Sequence, residues 1–446
     1  MAAPREQCAH EALQLEPSTF AEKAGFERSN VHRRIAATTK SGKRLASAQV
    51  SNVALPSTFP GPLVLPNDDL ALDPKWPPQS FRSWLLEKQR NKPTSQRQTF
   101  YIAAVPEIPA NMAFMKEWVR PNNVLKGSRK PKASSVGDFA SPEIGNFVDY
   151  LGAFYRGISV KRFPGRLRFV PWEEKKYTKS SGTPKDVGLA YGDESVRIRV
   201  RPSPDGVFNV QLNLNDILDA ALQILPEDAY SIMILTDHDI YEDEDDDYCC
   251  GRAYGGSRIA VVSTARYHPS LDKSAGIDHA HMWPASHCKK YVDGLCAADA
   301  LEKPKAKKTK IVETPDFEAT LSASPIREAI DSAAAVLPPL SKEEFVALWF
   351  SRLARTVAHE LGHCLGMDHC VYYACNMQGT AGMAEDIRQP PYLCPVCLSK
   401  VSYAKRKYMR QRYEDLIKYC DTLKNVGLFA GYGAWLNMRL KQMEQE

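Results

Sequence analysis

Apolar and polar positions alternate with two distinct periods in the middle of the chain. Residues 165–172 (GRLRFVPW) and 195–203 (SVRIRVRPS) alternate apolar and basic side chains, which is the period-two pattern of half-buried strands. Residues 230–241 and 258–267 contain continuous apolar runs that are typical of buried strands. Between these two pairs, helical spacing predicts a helix whose apolar face is formed by Leu214, Ile217, Leu218, Ala221, Leu222 and Leu225. The order strand, strand, helix, strand, strand predicts an α/β layer with a helix on one face.

Helical periodicity dominates the later part of the chain. Ser341 and Glu344 form a capping box at the start of a long helix, and its apolar side is formed by Phe345, Leu348, Trp349, Leu353 and Val357. Residues 398–424 predict a basic helix, which is either scaffold or a surface for an anionic partner. Upstream, the pattern predicts helices at residues 80–90 and 141–157 and a strand at residues 97–109.

Composition narrows the class of protein. A net charge of +5 from 58 basic and 53 acidic residues is too balanced to indicate nucleic-acid binding. No stretch has the apolar length of a secretory signal or a membrane span, so we expect neither. We therefore expect a cytoplasmic protein, in which the lysine cluster at residues 302–310 is either a solvated run or a nuclear address. In a reducing compartment the eleven cysteines stay thiols unless a metal holds them.

The long helix contains the sequence HELGH. His359 and His363 are four residues apart, so their imidazoles project from the same helix face and can bind one ion. Glu360 lies beside them, where it can hold a water rather than the metal. Gly366 can end the helix with a positive φ and bring His369 back as a third ligand. Three imidazoles with one open position are typical of a catalytic zinc.

Four cysteines follow at the spacing of a second metal site. Cys370 and Cys375 are separated by four residues, and Cys394 and Cys397 form C-P-V-C. Four thiolates can close a tetrahedral structural zinc site. A redox pair formed by Cys394 and Cys397 is the alternative interpretation. The two cysteines just upstream favour the metal site.

These residues carry a resemblance to a known family. The chain resembles the archaemetzincins, zinc peptidases of the metzincin clan, and especially the eukaryotic type, at His359, Glu360, His363, Gly366, His369, Cys370, Cys375, Met377, Cys394 and Cys397. The resemblance implies an α/β (α+β) fold, with a twisted mixed sheet backed by helices, an active-site helix and a small zinc-bound C-terminal subdomain. It also implies that Met377 lies beneath the zinc ligands as the Met-turn residue, whereas a methionine that fills a core gap would pack similarly.

The same resemblance suggests where a substrate lies. The strand predicted at residues 258–267 resembles the edge strand along which metzincin substrates extend, and a covered sheet edge is the equal alternative. The resemblance and the patterns above together divide the chain into six parts. The first three are a mostly disordered tail (1–74), a first part of the catalytic region (75–156) and a sheet-bearing subdomain (157–299). The last three are a linker or insertion (300–340), the active-site helix with the C-terminal subdomain (341–430) and a short tail (431–446).

The function expected from these residues is zinc-dependent hydrolysis of peptide bonds. Two zinc ions per chain are expected, with a zinc-bound water activated by Glu360 as general base and acid. Peptides or proteins are the expected substrates of a monomer, and the resemblance implies aminopeptidase activity. The alternative is a catalytically silent, zinc-stabilised binding or regulatory protein that keeps the fold. An intact Glu360 and a complete histidine triad favour the enzyme.

A further histidine-rich stretch has two interpretations. His279, His281, His287 and Cys288 lie within ten residues, and they are either metal ligands or polar loop residues. Cys8 has no partner pattern, and Cys364 is expected to be a small buried residue. The sequence assigns none of these residues a role.

Overall fold

The computed structural model describes residues 8–43, 55–122, 140–172, 183–302, 323–404 and 409–445. The chain forms two compact units: the first comprises residues 1–87, 277–337 and 368–446, and the second comprises residues 88–276 and 338–367. The predicted mixed α/β class is confirmed, because the second unit contains two five-stranded sheets together with helices. None of the described helices is long and apolar enough to cross a membrane.

All strands of the described residues belong to the second unit. They are β1 (Thr99–Ala103), β2 (Ser159–Arg162), β3 (Leu167–Val170), β4 (Asp186–Tyr191), β5 (Glu194–Pro202), β6 (Val210–Asn213), β7 (Ala229–Thr236), β8 (Ile240–Tyr241), β9 (Gly251–Tyr254) and β10 (Ile259–Ser263). One sheet has the order β2-β1-β7-β10-β9, and the other has the order β3-β4-β5-β6-β8. Strands β3, β5, β7 and β10 occur where period-two and apolar runs predicted strands at residues 165–172, 195–203, 230–241 and 258–267, but β3, β7 and β10 are shorter than the predicted ranges.

The sheet order changes the prediction for the edge strand. Strands β1, β7 and β10 pair in parallel, and every residue of β7 and β10 is buried. Strand β9 pairs antiparallel with β10 and forms the edge of this sheet. The strand predicted at residues 258–267 is therefore interior rather than an edge. A continuous apolar run is what a strand with neighbours on both sides requires.

The helices of the described residues occur in both units. They are α1 (Thr19–Ala24), α2 (Val31–Ala36), α3 (Asp69–Leu72), α4 (Phe81–Leu86), α5 (Ile144–Phe154), α6 (Leu214–Gln223), α7 (Lys289–Glu302), α8 (Pro325–Ala334), α9 (Lys342–Cys364), α10 (Met383–Asp386), α11 (Pro395–Val401), α12 (Met409–Thr422) and α13 (Gly427–Gln445). Helix α6 buries the predicted face at Leu214, Ile217, Leu218 and Ala221. Leu222 is 51% exposed instead, because the helix ends one residue later and its last turn leaves the core.

Helix α9 is fixed from its first turn onwards. The predicted capping box is present: the Ser341 hydroxyl accepts from the Glu344 amide, and the Glu344 carboxylate accepts from the Ser341 amide. The indole of Trp349 donates to the carbonyl of Thr264 at 2.8 Å. The guanidinium of Arg352 donates to both carboxylate oxygens of Asp272 at 2.7 Å. Such a buried bidentate ion pair fixes both the rotation of the helix about its axis and its position along that axis.

The first unit contains elements where we expected a disordered tail. Helices α1 and α2 are capped by Ser18 and Asn30, and a small core joins Phe26 and Val64 to Val371. These apolar residues are isolated in the sequence and are buried against residues tens to hundreds of positions away. Periodicity within a window therefore does not detect them.

The predicted linker and C-terminal tail also differ from the structure. Residues 303–322 lie outside the described residues, but α8 occupies much of the remaining linker. The predicted tail over residues 431–446 is helical as part of α13, in which Trp435 is fully buried. The Trp435 indole donates to the carbonyl of Thr58 at 3.1 Å. Burial of this indole makes the segment part of the folded unit.

A buried histidine in the second unit predicts an acid-dependent stability. His238 is 1% exposed and lies 4.9 Å from the ring of Phe169 and 6.3 Å from that of Trp118. Burial lowers its pKa from 6.5 to about 3. Between these two pKa values the His238 side chain binds a proton in the unfolded chain but not in the folded chain. The free energy of unfolding therefore falls as the pH drops from 6.5 toward 3, and this histidine contributes no further pH dependence above pH 6.5.

We expect His238→Leu to flatten the pH dependence of unfolding between pH 6.5 and 5. The wild type should lose about 1 kcal/mol of unfolding free energy per pH unit from this group, and the variant should not. Urea titrations across this range measure the difference. Equal slopes for wild type and His238→Leu would contradict the assignment.

Candidate metal centre and active site

The last turns of α9 present two imidazoles to one point. The Nε2 atoms of His359 and His363 lie 2.9 Å apart, with ring centroids 4.6 Å apart. The Nδ1 atom of His363 lies 2.7 Å from the carbonyl oxygen of Met367. A hydrogen bond from Nδ1 to a carbonyl fixes the tautomer that leaves the Nε2 lone pair available. Glu360, between the two histidines in sequence, is buried.

A tight turn follows α9 at Gly366. The glycine has φ 76°, in the left-handed region, and its amide donates to the carbonyl of His363 at 2.8 Å. The turn lies three residues before His369, the third predicted ligand. The structure therefore pairs His359 with His363 and places a reversal of the chain just before His369.

We expect Gly366→Ala to weaken this turn. A non-glycine residue in the left-handed region costs about 1–2 kcal/mol, and a Cβ here would meet the Arg90 side chain at 2.7 Å. The substitution should lower the free energy of unfolding by roughly that amount and reduce zinc affinity. Denaturant titration and zinc competition measure the two effects. Gly256→Ala is the control, because nothing lies within 4 Å of a Cβ there. Equal effects of both variants would contradict a special role for the turn.

The donor set fits a zinc ion. Neutral imidazole nitrogens are zinc ligands, and two Nε2 atoms that face each other at 2.9 Å share one position for a cation. Three protein nitrogens leave a tetrahedral ion one open position. The residues present therefore fit the group that the motif implies.

The four predicted cysteines form a second cluster, which is entirely buried. The sulfur atoms of Cys370, Cys375, Cys394 and Cys397 all lie within 4.8 Å of one another. Cys370 and Cys394 approach to 3.6 Å between their sulfur atoms. Four sulfurs bound to one zinc at about 2.3 Å stand roughly 3.8 Å apart. The spacing therefore matches a tetrahedral thiolate site.

Local structure arranges this cluster. Cys394 is the N-cap residue of α11, and Cys397 lies in its first turn. The amide of Cys394 donates to the sulfur of Cys375 at 3.3 Å. Hydrogen bonds from Cys375, Cys394 and Cys397 lower the pKa of Cys370 well below its usual value, whereas burial raises the pKa of Cys375 and of Cys394. A cation would relieve the burial penalty on all four thiolates.

Met377 lies beside the first cysteine of the four-cysteine cluster. Its side chain is fully buried. Its carbonyl accepts from the amide of Cys370 at 2.7 Å. The segment that contains Met377 is therefore fixed to the residue that follows His369.

Two neighbours of His369 were missed by the sequence interpretation. The indole of Trp76 lies 5.2 Å from the His369 ring, at an interplanar angle of 37°. The carboxylate of Asp69 interacts with His369, and this attraction opposes the burial that raises the pKa of Asp69. A Cβ on Gly379 would meet both Asp69 and His369 at under 3 Å, so only glycine fits between them. Asp69 and Trp76 lie in or near a proline-rich stretch without periodicity, so no sequence signal indicates them.

The additional histidine-rich stretch separates into different environments. His287 is buried, and its Nε2 lies 3.2 Å from the carbonyl oxygen of Gly61, so it does not join a metal group. His279 is exposed. His281 and Cys288 instead form a third candidate metal group with Cys8, a cysteine to which the sequence assigned no partner. Cys364 is buried as predicted.

Comparison with known proteins shows similarity to one family of peptidases. The sequence model of peptidase family M54 matches residues 332–403, which include all the histidines and cysteines of the two centres. Archaemetzincin-2 from Homo sapiens is 23% identical over 363 residues, covering 81% of this chain and 74% of that protein. The chain is therefore similar to the archaemetzincins over most of its length. The match to this peptidase family supports a zinc metallopeptidase.

Further archaemetzincins have a lower identity or match a shorter part of the chain. Archaemetzincin-1 from Homo sapiens is 27% identical over 229 residues, which cover 51% of this chain and 38% of that protein. The crystal structure of archaemetzincin from Methanopyrus kandleri aligns with a TM-score of 0.31 and 16% identity, covering 71% of this chain and all of that one. Archaemetzincin from Archaeoglobus fulgidus, complexed with malonate, aligns with a TM-score of 0.28 and 16% identity, covering 68% of this chain and 99% of that one.

Proposed function

We propose that this protein is an archaemetzincin-type peptidase that hydrolyses peptide bonds with a zinc ion held by His359, His363 and His369, and with Glu360 as general base and acid. The observation that carries the proposal is the approach of the His359 and His363 Nε2 atoms to 2.9 Å, with the left-handed turn at Gly366 just before His369. The proposal requires one open coordination position, which three nitrogen ligands leave.

Each residue then has a defined task. When bound, zinc supplies Lewis acidity, which polarises the carbonyl of the peptide bond and favours ionisation of water at the open position. Glu360 accepts a proton from the attacking water and later delivers it to the leaving amine. The carbonyl of Met367 holds His363 in the tautomer that binds through Nε2. Because Glu360 is buried on the same helix as two ligands, its carboxylate is held by packing.

A second zinc ion is proposed at the four cysteines. Four protein ligands close the coordination shell, so this ion is structural. Met377 is proposed as the Met-turn residue, an apolar floor beneath the histidines that does not bind metal. Cys370 directly follows His369, so fixing its thiolate restricts the neighbouring imidazole. The structural ion would in this way help to preorganise the catalytic one.

Strand β9 is the proposed binding edge for an extended peptide. It pairs with β10 on one side, and among the described strands none pairs with its other side. The turn after β9 approaches α9 closely, since a Cβ on Gly255 would meet the carbonyl oxygen of His363 at 2.3 Å. Main-chain hydrogen bonds along an edge bind a peptide with little side-chain selectivity. We therefore propose peptides or proteins as substrates, with aminopeptidase action as one outcome.

A mixed peptide library tests the function. The zinc-loaded protein should cleave it, a chelator should stop cleavage, and added zinc should restore it. Cleavage confined to the first residue would establish an aminopeptidase, and internal cleavage an endopeptidase. A zinc-loaded, folded protein that cleaves no peptide in the library would contradict the proposal.

A further inference from the structure

We propose that Cys8, His10, His281 and Cys288 form a further zinc site, which fastens the N-terminal segment to the start of α7. All four residues belong to the first unit. The site is separate from the two centres described above, and the proposal does not depend on peptidase activity.

The thiols and one imidazole already lie together. The sulfur atoms of Cys8 and Cys288 are 3.4 Å apart, although 280 positions separate them in the sequence. One ligand atom from each of Cys8, His281 and Cys288 lies within 4.8 Å of the others. Because Cys8 is far from the other two residues in sequence, only the tertiary fold can bring their ligand atoms together.

Backbone pairing holds the N-terminal segment at this position. Leu13 and Cys288 form an antiparallel bridge. The amide of Gln14 donates to the carbonyl of His287 at 2.7 Å, and the amide of Lys289 donates to the carbonyl of Ala12 at 2.9 Å. These backbone contacts hold residues 12–14 beside residues 287–289. Cys8 and His10 therefore lie only a few residues before the segment that pairs with Cys288.

The orientation of His281 resembles that of a metal ligand. Its Nδ1 lies 2.8 Å from a carboxylate oxygen of Asp278, so Nε2 remains for an ion. The ring stacks on Tyr291, with centroids 4.1 Å apart and an interplanar angle of 5°. A carboxylate behind the imidazole and an aromatic face beside it fix both the tautomer and the ring plane. The Nε2 atom is buried, and the imidazole interacts with the thiol of Cys8.

The proposed fourth donor is His10, which lies beside the group of three rather than within it. Its ring stands edge-on to that of His281, with centroids 5.3 Å apart at 90°. It hydrogen-bonds to the backbone of Ala280, and its Nε2 is buried without a hydrogen bond to any described residue. A buried nitrogen without a hydrogen-bond partner is costly unless something binds it. His10 also has φ 49°, a strained conformation that a metal bond would hold in place.

The donor set favours zinc and a structural role. Two thiolates and two imidazoles are a common closed tetrahedral zinc site, and both pairs have short local spacing, C-x-H and H-x6-C. Soft sulfur ligands with imidazoles discriminate against magnesium and calcium. A disulfide between Cys8 and Cys288 is the competing outcome, but it would need the sulfurs to close to about 2.05 Å. A disulfide would also not account for the orientation of the two histidines.

Native mass spectrometry of the full chain, reduced and loaded with Zn²⁺, tests the site. Cys288→Ser and His281→Ala should each bind one zinc ion fewer than wild type, whatever the wild-type total. Cys296→Ser is the matched control, because Cys296 is a partly buried cysteine on the adjoining helix outside the group, and it should match wild type. Equal zinc counts for wild type, Cys288→Ser and His281→Ala would overturn the proposal.

A second measurement remains decisive if Cys288→Ser or His281→Ala folds poorly. Cys8→Ser alters only the N-terminal segment, so it should lose one zinc ion and increase amide hydrogen exchange in residues 9–16 at least tenfold. Exchange elsewhere in the first unit should stay unchanged. Unchanged exchange and an unchanged zinc count would overturn the proposal. A Cys8–Cys288 disulfide that persists in reducing buffer would overturn it as well.

Discussion

Glu360→Gln is expected to retain zinc and the fold while losing peptidase activity by about a hundred- to ten-thousandfold. The substitution keeps the shape of the side chain and removes its capacity to accept the proton of the attacking water. Glu360 is buried on α9 beside His359, so an isosteric amide should disturb packing little. Initial rates on a mixed peptide library, together with metal analysis of the same preparation, measure both parts of the prediction.

Glu343→Gln is the matched control for this experiment. Glu343 is an exposed acid in the first turn of the same helix, and its loss should leave the rate within about twofold. The assignment would fail if zinc-loaded Glu360→Gln retained wild-type hydrolysis. It would also fail if the loss of activity followed a loss of zinc, since Glu360 would then be a ligand.

Cys375→Ser is expected to remove one zinc ion and to unfold the segment around it. Structural zinc contributes on the order of 10 kcal/mol in small domains that fold around the ion. Even partial loss of that stabilisation should lower the thermal unfolding midpoint by at least about 10 °C. Metal analysis and calorimetry at fixed protein concentration measure the effect.

Cys420→Ser separates loss of the ion from loss of a buried thiol. Cys420 lies on α12 and is as deeply buried as Cys375, but it belongs to no candidate metal group of the described residues. Its replacement should leave the zinc count unchanged and cost about 1–3 kcal/mol. Equal effects of the two variants would show that Cys375 acts through packing rather than through a metal.

Cys370→Ala tests the coupling between the two centres. The thiolate of Cys370 adjoins His369, and the amide of Cys370 donates to the carbonyl of Met377. We therefore expect this variant to weaken zinc binding at the histidines as well as at the cysteines. If only one ion is lost and activity persists, the two centres are neighbours without coupling.

Local patterns predicted the second unit well. Burial in a strand or helix leaves a period in the sequence, and strands β3, β5, β7 and β10 were indicated by that pattern. The capping box of α9 was likewise visible in the sequence. The spacing of His359, His363 and Gly366 determines geometry within a few residues of chain.

Much of the first unit could not be predicted in this way. Helices α1 to α4 are short, and contacts such as the one between Trp435 and Thr58 join segments far apart in sequence. Asp69 and Trp76 reach His369 from a proline-rich region. The approach of Cys8 to Cys288 depends on a bridge between segments about 280 residues apart. A window of a dozen residues contains none of these contacts.

Anomalous diffraction at the zinc edge, from crystals of the zinc-loaded protein, tests the central claim most directly. We predict an ion bonded at about 2.0–2.1 Å to His359, His363 and His369, with no fourth protein ligand. Contrary evidence would be a fully occupied ion elsewhere in the protein with none at these histidines, or an ion there closed by a fourth side chain.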